Sequence, residues 1–264
     1  MKHLLVLALA AVWIGLYPMS VRAEDLNTIE LAPPTTTVPL PEGWTRRQFI
    51  DRFIWMWATT PNGLFDNKWM GVPTRQNPFD VWVTQEILYE TKPDFIIECG
   101  TFQGGSAAMW ATMLEQINPQ GRVITIDIED KRPPRAKRGI ARRKVDFLLG
   151  SSTSPRIVAE VTRRVKGKKV LVILDSAHTR DHVLNELRAY APLVQVGGYV
   201  VVQDGVINGH PLPGITGPGP WEAVHEFMDG NAEFAIDRTR ERLLVTANPD
   251  GFLKRIKPAG FASK

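Results

Sequence analysis

Apolar positions along the chain gather into short continuous runs, separated by amphipathic stretches of helical period. The runs Phe95–Glu98, Arg122–Asp127, Val145–Leu149, Lys169–Leu174 and Gly197–Gln203 read as strands buried on both faces. Between them lie helical stretches from about Ser106 to Ile117, from the Gly150-Ser151-Ser152 turn to Val165, and from Arg180 to Tyr190. Upstream, Phe49, Ile50, Phe53, Ile54 and Trp57 share one face of a helix starting near Trp44, which predicts packing. Asn77 followed by Pro78 starts a second helix that runs to about Thr91 and stops before Pro93. Toward the C-terminus the pattern predicts a helix from Trp221 and strands at Glu233–Ile236 and Arg242–Thr246. Strands alternating with helices predict an α/β fold: a Rossmann-like, seven-stranded, mostly parallel sheet with helices on both faces and an N-terminal helical addition.

The first 23 residues do not fit that pattern. Lys2 and His3 precede an apolar run from Leu4 to Tyr17, and small residues follow at Val21 and Ala23. This is the layout of a secretory signal peptide, and the run is too short to cross a membrane comfortably. Export to a periplasmic or extracellular space is the expectation. A retained anchor, or a cytoplasmic protein starting at Met19, are the alternatives. The divisions expected are 1–23 leader, 24–43 Pro/Thr-rich linker, 44–92 helical addition, 93–257 main domain and 258–264 tail.

Composition adds little to this except by exclusion. Hydrophobic residues make up 44% of the 264, enough for one large core. The formal charge of +4 falls by two once Lys2 and Arg22 of the leader are set aside, too small an excess for nucleic acid to be the main partner. The single cysteine, Cys99, sits at a strand end and reads as a small core residue. The dense Lys/Arg stretch Lys131–Lys144 reads as a solvated loop and short helix, with an anionic substrate group or membrane surface as the sharper alternative.

Chemistry concentrates at the strand ends. Gly100, Gly104 and Gly105 follow the first strand, Ser106 opens the next helix, and Asp127 ends the second strand. The spacing differs from the G-x-G-x-x-G that suits a dinucleotide, which disfavours NAD; with Glu98 it is the arrangement associated with S-adenosylmethionine (SAM). Gly104 and Gly105 would let main chain approach a ligand, free N–H groups near Ser106 would hold a carboxylate, and Asp127 would accept ribose hydroxyls. Ser151 and Ser152 would reach the adenine. Asp175 and Asp204 end two further strands, at the edge where ligands bind such sheets, and together could hold a hard divalent cation such as Mg²⁺. His178 lies within reach as a general base. Asn208–Pro220 is long enough to be a lid, and Asn62–Gln76 could lie over the pocket. No Cys/His zinc cluster, Walker loop or Gly-x-Ser-x-Gly elbow is visible.

Several segments together resemble one family. Lys68-Trp69-Met70-Gly71, Asp94–Ser106, Asp175-Ser176-Ala177-His178, Glu186-Leu187, Gly198-Tyr199 with Asp204, Gly219-Pro220 with Ala223-Val224, and Asn248–Leu253 look like the cephalosporin hydroxylase family, which includes rhamnosyl O-methyltransferase-like proteins. The resemblance spans roughly Trp44 to Lys257. It implies the class I SAM-dependent methyltransferase fold and Mg²⁺-assisted O-methylation of a hydroxyl on a small molecule or glycoside. Under it, Glu98, Gly100, Phe102, Gly104, Gly105, Ser106, Asp127, Ile128, Ser151 and Ser152 would line the SAM site. Asp175, Gln203 and Asp204 would meet the metal, and Asp175, His178 and Asp204 would carry the chemistry. Gln203 stands where some members have an acid; its carboxamide oxygen is a weaker ligand. A homo-oligomer, and membrane contact only through an uncleaved leader, complete the expectations. The alternative reading is a non-catalytic SAM or nucleoside binder of the same fold.

Overall fold

The computed structural model describes residues 28–29, 40, 42–61, 63, 66–214, 217–258 and 260. The expected leader and most of the Pro/Thr-rich linker lie outside the described residues. Strand β1 is the pair Thr28–Ile29, and helix α1 spans Arg46–Thr59. Thr45 caps α1 through a capping box with Gln48. The hairpin of β2 (Lys68–Trp69) and β3 (Val72–Pro73) follows. Helix α2 (Pro78–Thr91) starts at Asn77, whose side chain accepts from Phe79 N–H, and ends at Lys92 in the left-handed region.

The rest alternates as expected: β4 (Phe95–Cys99), α3 (Gly105–Ile117), β5 (Arg122–Asp127), α4 (Gly139–Lys144), β6 (Val145–Leu149), α5 (Pro155–Val165), β7 (Val170–Leu174), α6 (Arg180–Tyr190) and β8 (Tyr199–Val202). Then come α7 (Pro220–Met228), β9 (Phe234–Asp237) and β10 (Phe252–Arg255). These strands join in one sheet of order β1-β9-β10-β8-β7-β4-β5-β6. The seven principal strands are parallel apart from β10, which runs antiparallel to both β8 and β9; the eighth is the two-residue β1 on the outer edge.

The central strands are apolar throughout because both faces are covered. Ile97, Ile124, Val172 and Val200 face Val161, Leu184 and Val224 of α5, α6 and α7. Ile96, Val123, Leu171 and Val201 face Ile87 of α2 and Trp110 and Leu114 of α3. The carboxyl ends of the parallel strands therefore open on one edge.

Two expectations need correction. No strand forms at Arg242–Thr246, because its polar groups go elsewhere. Arg242 pairs with Glu86, Thr246 donates to Asp80, and Leu244 is exposed. The closing antiparallel strand is Phe252–Arg255, whose Phe252 and Leu253 are fully buried. The apolar stripe of α1 is also only partly packed. Ile54 is buried against Val206, Leu212 and Ala247, while Phe49 and Phe53 remain exposed. Helix α1 rests on the loop after β8 through Ile54 and meets Phe79 of α2 through Trp57.

Candidate functional site

The ends of β4 and β7 meet closely. A Cβ on Gly100, whose φ is +98°, would stand 1.8 Å from the carbonyl oxygen of Asp175. Only glycine fits there. Gly105 is equally constrained, but by protein: a Cβ would lie 2.2 Å from the carbonyl oxygen of Pro73. At Gly100 and Gly105 backbone meets backbone; ligand approach was the expectation for Gly104 and Gly105, and at Gly105 the close neighbour is the Pro73 carbonyl. Gly104, at φ +78°, has the Arg132 side chain beside it.

A cleft of about 470 Å³ opens beyond them along the carboxyl edge. Its walls include Gly100, Phe102, Asp127, Ile128, Lys131, Ser151, Ser152, Asp175, Ser176 and His182. Asp127 is fixed on this wall. Its Oδ2 accepts from Thr101 N–H (3.1 Å) and Phe102 N–H (2.8 Å), and its Oδ1 from Glu129 N–H (3.2 Å). The remaining lone pairs are available to a ribose diol. Phe102 reaches this geometry at φ 46°.

Glu98, Gly104, Gly105 and Ser106, expected to line the site, are not among the residues on the cleft wall. Glu98 is 1% exposed, and its carboxylate accepts from Trp110 Nε1–H (3.0 Å) and Thr125 Oγ–H (2.6 Å). Burial is the main reason its pKa rises to about 7; hydrogen bonds from Thr125 and Ser106 oppose the rise, and the charge of Asp175 adds to it. Glu98 ties α3 to β4 and β5 beneath the cleft.

Where Asp175 joins the cleft wall, Asp175, His178 and Asp204 present ligand atoms within 4.8 Å of one another; His178 and Asp204 are not on the wall itself. His178 Nε2 is 3.3 Å from Asp175 Oδ1 and 3.3 Å from Asp204 Oδ2. Asp204 occupies the left-handed region at φ 57°, its N–H donating to Asn248 Oδ1. Burial and then repulsion from Asp175 push the Asp204 carboxyl up to about 6. Burial alone would depress the His178 imidazole, but the Asp175 hydrogen bond and the Asp204 charge outweigh it and raise its pKa to about 9. Two carboxylates forced together in this way suit a hard divalent cation, which takes oxygen ligands and relieves the repulsion.

The Gln203 carboxamide is occupied. It exchanges two hydrogen bonds of 2.8 Å with Gln76, and Gln76 Nε2 also donates to Asp175 Oδ2 at 3.0 Å. A cation would compete with Gln76 for Gln203 Oε1. Gln76 itself escaped the sequence reading; its place immediately before the Asn77-Pro78 helix start was the available signal. His182 was not singled out from the sequence, although its four-residue spacing to Glu186 puts both on one face of α6. The loop after Asp204 is pinned over the site, since Asn208 Nδ2 donates to the carbonyl oxygen of His178 at 3.0 Å. Much of the basic stretch is paired at the surface: Arg132 and Lys137 hold Asp130, and Arg143 reaches Glu115. Lys131 alone of that stretch lines the cleft.

Comparison with known proteins places this site in context. The sequence model of rhamnosyl O-methyltransferase/CmcI matches residues 63–256. The rhamnosyl O-methyltransferase of Mycobacterium tuberculosis (strain H37Rv) is 42% identical over 194 residues, covering 71% of this chain and 77% of that protein. The Mycobacterium leprae (strain TN) protein of the same name is 35% identical over 212 residues, covering 78% and 87%. Among solved structures, CmcI with Mg and SAM superposes with a TM-score of 0.55 at 18% identity, covering 86% of this chain and 90% of that one. At that identity the likeness concerns the fold, a class I methyltransferase sheet with its antiparallel closing strand.

Proposed function

The chain belongs to the rhamnosyl O-methyltransferase/CmcI family and is a SAM-dependent O-methyltransferase; from that premise we propose that its acceptor is a sugar hydroxyl, on a rhamnosyl glycoside, activated at Asp175, His178 and Asp204. The observation that carries this reading is the convergence of those three side chains within 4.8 Å, where Asp175 joins the cleft wall. The cleft itself offers Asp127 and the Ser151-Ser152 turn to a nucleoside.

In this reading Asp127 accepts the ribose hydroxyls, held in place by the Thr101 and Phe102 N–H groups. The acceptor oxygen attacks the SAM methyl carbon in line, the carbon–sulfur bond breaks, and S-adenosylhomocysteine (SAH) leaves with the electron pair. Most of the acceleration comes from holding oxygen, methyl and sulfur collinear. Asp175 and Asp204 would hold Mg²⁺, which when bound lowers the pKa of a coordinated hydroxyl. His178 shares its proton with both carboxylates, and at a pKa of about 9 it is protonated at neutral pH and cannot act as a base. Charge neutralisation of Asp175 and Asp204 by a cation returns it to the range of one. Asn208 and Gln76 hold the His178 backbone and the Asp175 carboxylate in register.

The test is transfer of labelled methyl from SAM to a rhamnosyl glycoside, with product analysis locating the new ether. Methylation of that acceptor in the presence of Mg²⁺ supports the reading. SAM binding without methylation of any sugar hydroxyl would contradict it.

A further inference from the structure

A polar cluster of Glu186, His182, Ser152 and Ser176 backs the cleft wall. Glu186 is fully buried, and its Oε1 accepts from Ser152 Oγ–H (2.5 Å) and Ser176 Oγ–H (2.6 Å). Glu186 Oε2 has no hydrogen-bond partner among the described residues. One turn earlier on α6, His182 Nε2 sits 3.1 Å from Ser152 Oγ and 3.3 Å from Glu186 Oε1. The imidazole also forms part of the cleft wall, with Ser151, Ser152 and Ile128.

This arrangement fixes the ring. With the Ser152 hydroxyl hydrogen turned to Glu186, the Ser152 oxygen and the carboxylate both call for a proton on His182 Nε2. The neutral imidazole then keeps a lone pair on Nδ1.

The position of the cluster says what meets it. The methyl group must face Asp175 and Asp204, at the ends of β7 and β8. Asp127, the ribose acceptor, ends β5. The nucleoside base therefore lies further along, toward the Gly150–Ser152 turn after β6. From β7 to β6 is three strand spacings, roughly 14 Å. Ile128, 76% exposed, offers an apolar surface for one face of that base.

We propose that His182 is the specificity residue for the cofactor's purine, its Nδ1 accepting from the 6-amino group of adenine while Glu186 and Ser152 hold the ring. The proposal rests on the SAM reading of the cleft, and its test separates the two. Calorimetric titration of the full-length protein with SAH and with S-inosylhomocysteine, whose 6-oxo group cannot donate, reads the recognition directly. It is run from neutral to alkaline pH, since Nδ1 accepts only in the neutral ring and the Glu186 hydrogen bond raises the ring's pKa.

The wild-type protein binds SAH about 10-fold tighter than the inosyl analogue. His182→Ala loses that preference by weakening SAH alone. His182→Asn, whose side-chain oxygen can stand close to the Nδ1 position, restores part of the preference. Equal affinity of the wild-type protein for both nucleosides overturns the proposal without any variant. So does an unchanged preference in His182→Ala. Absence of any SAH binding removes the cofactor reading itself, an outcome distinct from binding without base discrimination.

Discussion

Gln76 Nε2 donates to Asp175 Oδ2 at 3.0 Å, tying the segment that leads into α2 to the end of β7, 99 residues further along the chain. The same amide is locked to Gln203 by two reciprocal bonds, so its direction is fixed. Partners of this kind orient metal-binding carboxylates, and their loss typically costs 10–100-fold in affinity or activity. Gln76→Leu should therefore lower kcat by about 10–100-fold while leaving SAH affinity intact. Steady-state kinetics beside calorimetric titration would show it, and an unchanged kcat would remove Gln76 from the machinery.

The His178 imidazole provides a readout of the acidic pair. In metal-free protein its proton resonances should titrate near the value of about 9, and Mg²⁺ should shift that midpoint downward. The linkage sign is definite. A histidine whose folded pKa exceeds its unfolded value of 6.5 contributes stability that is fully present below 6.5 and lost as pH rises through about 9. Metal-free protein should accordingly lose unfolding free energy across that window, and His178→Asn should flatten the loss. An NMR midpoint that ignores Mg²⁺ would place the cation elsewhere.

Glu98 tests the corrected assignment of the glycine turn. Its folded pKa of about 7 lies above the ordinary value of 4.5, so the folded state holds its proton more tightly than the unfolded chain. Stability from this group is greatest below 4.5 and declines as pH rises toward 7, opposite to an ordinary salt-bridged carboxylate. Glu98→Gln should abolish that slope in urea titrations and leave SAH binding in place. Loss of SAH binding by a folded Glu98→Gln protein would return Glu98 to the cofactor site.

Gly100→Ala would force a methyl group into the Asp175 carbonyl and hold alanine at φ +98°. Backbone strain alone is worth about 1–3 kcal/mol, and the overlap adds to it. Thermal melting should show a marked drop, accompanied by loss of SAH binding as the ends of β4 and β7 part. A variant as stable as wild type would mean that the two strand ends are not in contact.

The sequence made the strands of the sheet legible because each central strand is buried on both faces and so reads as an unbroken apolar run. Asp127, Asp175 and Asp204 were legible for a related reason: an acid ending such a run can only emerge at the carboxyl edge. Glu98 misled because it also ends a run, yet it points into the α3 layer, where Trp110 and Thr125 satisfy it. Nothing local distinguishes an acid facing a helix from one facing a cleft. Gln76 and His182 were hidden for the opposite reason. Their partners, Asp175 and Ser152, are distant in sequence and meet them only through the fold. The closing strand was displaced from 242–246 to Phe252–Arg255 because Thr246 finds a partner in Asp80, 166 residues earlier.

The most direct test of the account is methyl transfer by Asp204→Asn. The substitution keeps size and packing but halves the carboxylate charge presented to a cation. Labelled SAM, a rhamnosyl glycoside and Mg²⁺ are supplied, and SAH binding is measured on the same protein. The account predicts turnover reduced by at least about 100-fold with SAH affinity retained, and wild-type turnover abolished by chelator. Full turnover by Asp204→Asn in the presence of chelator would contradict it.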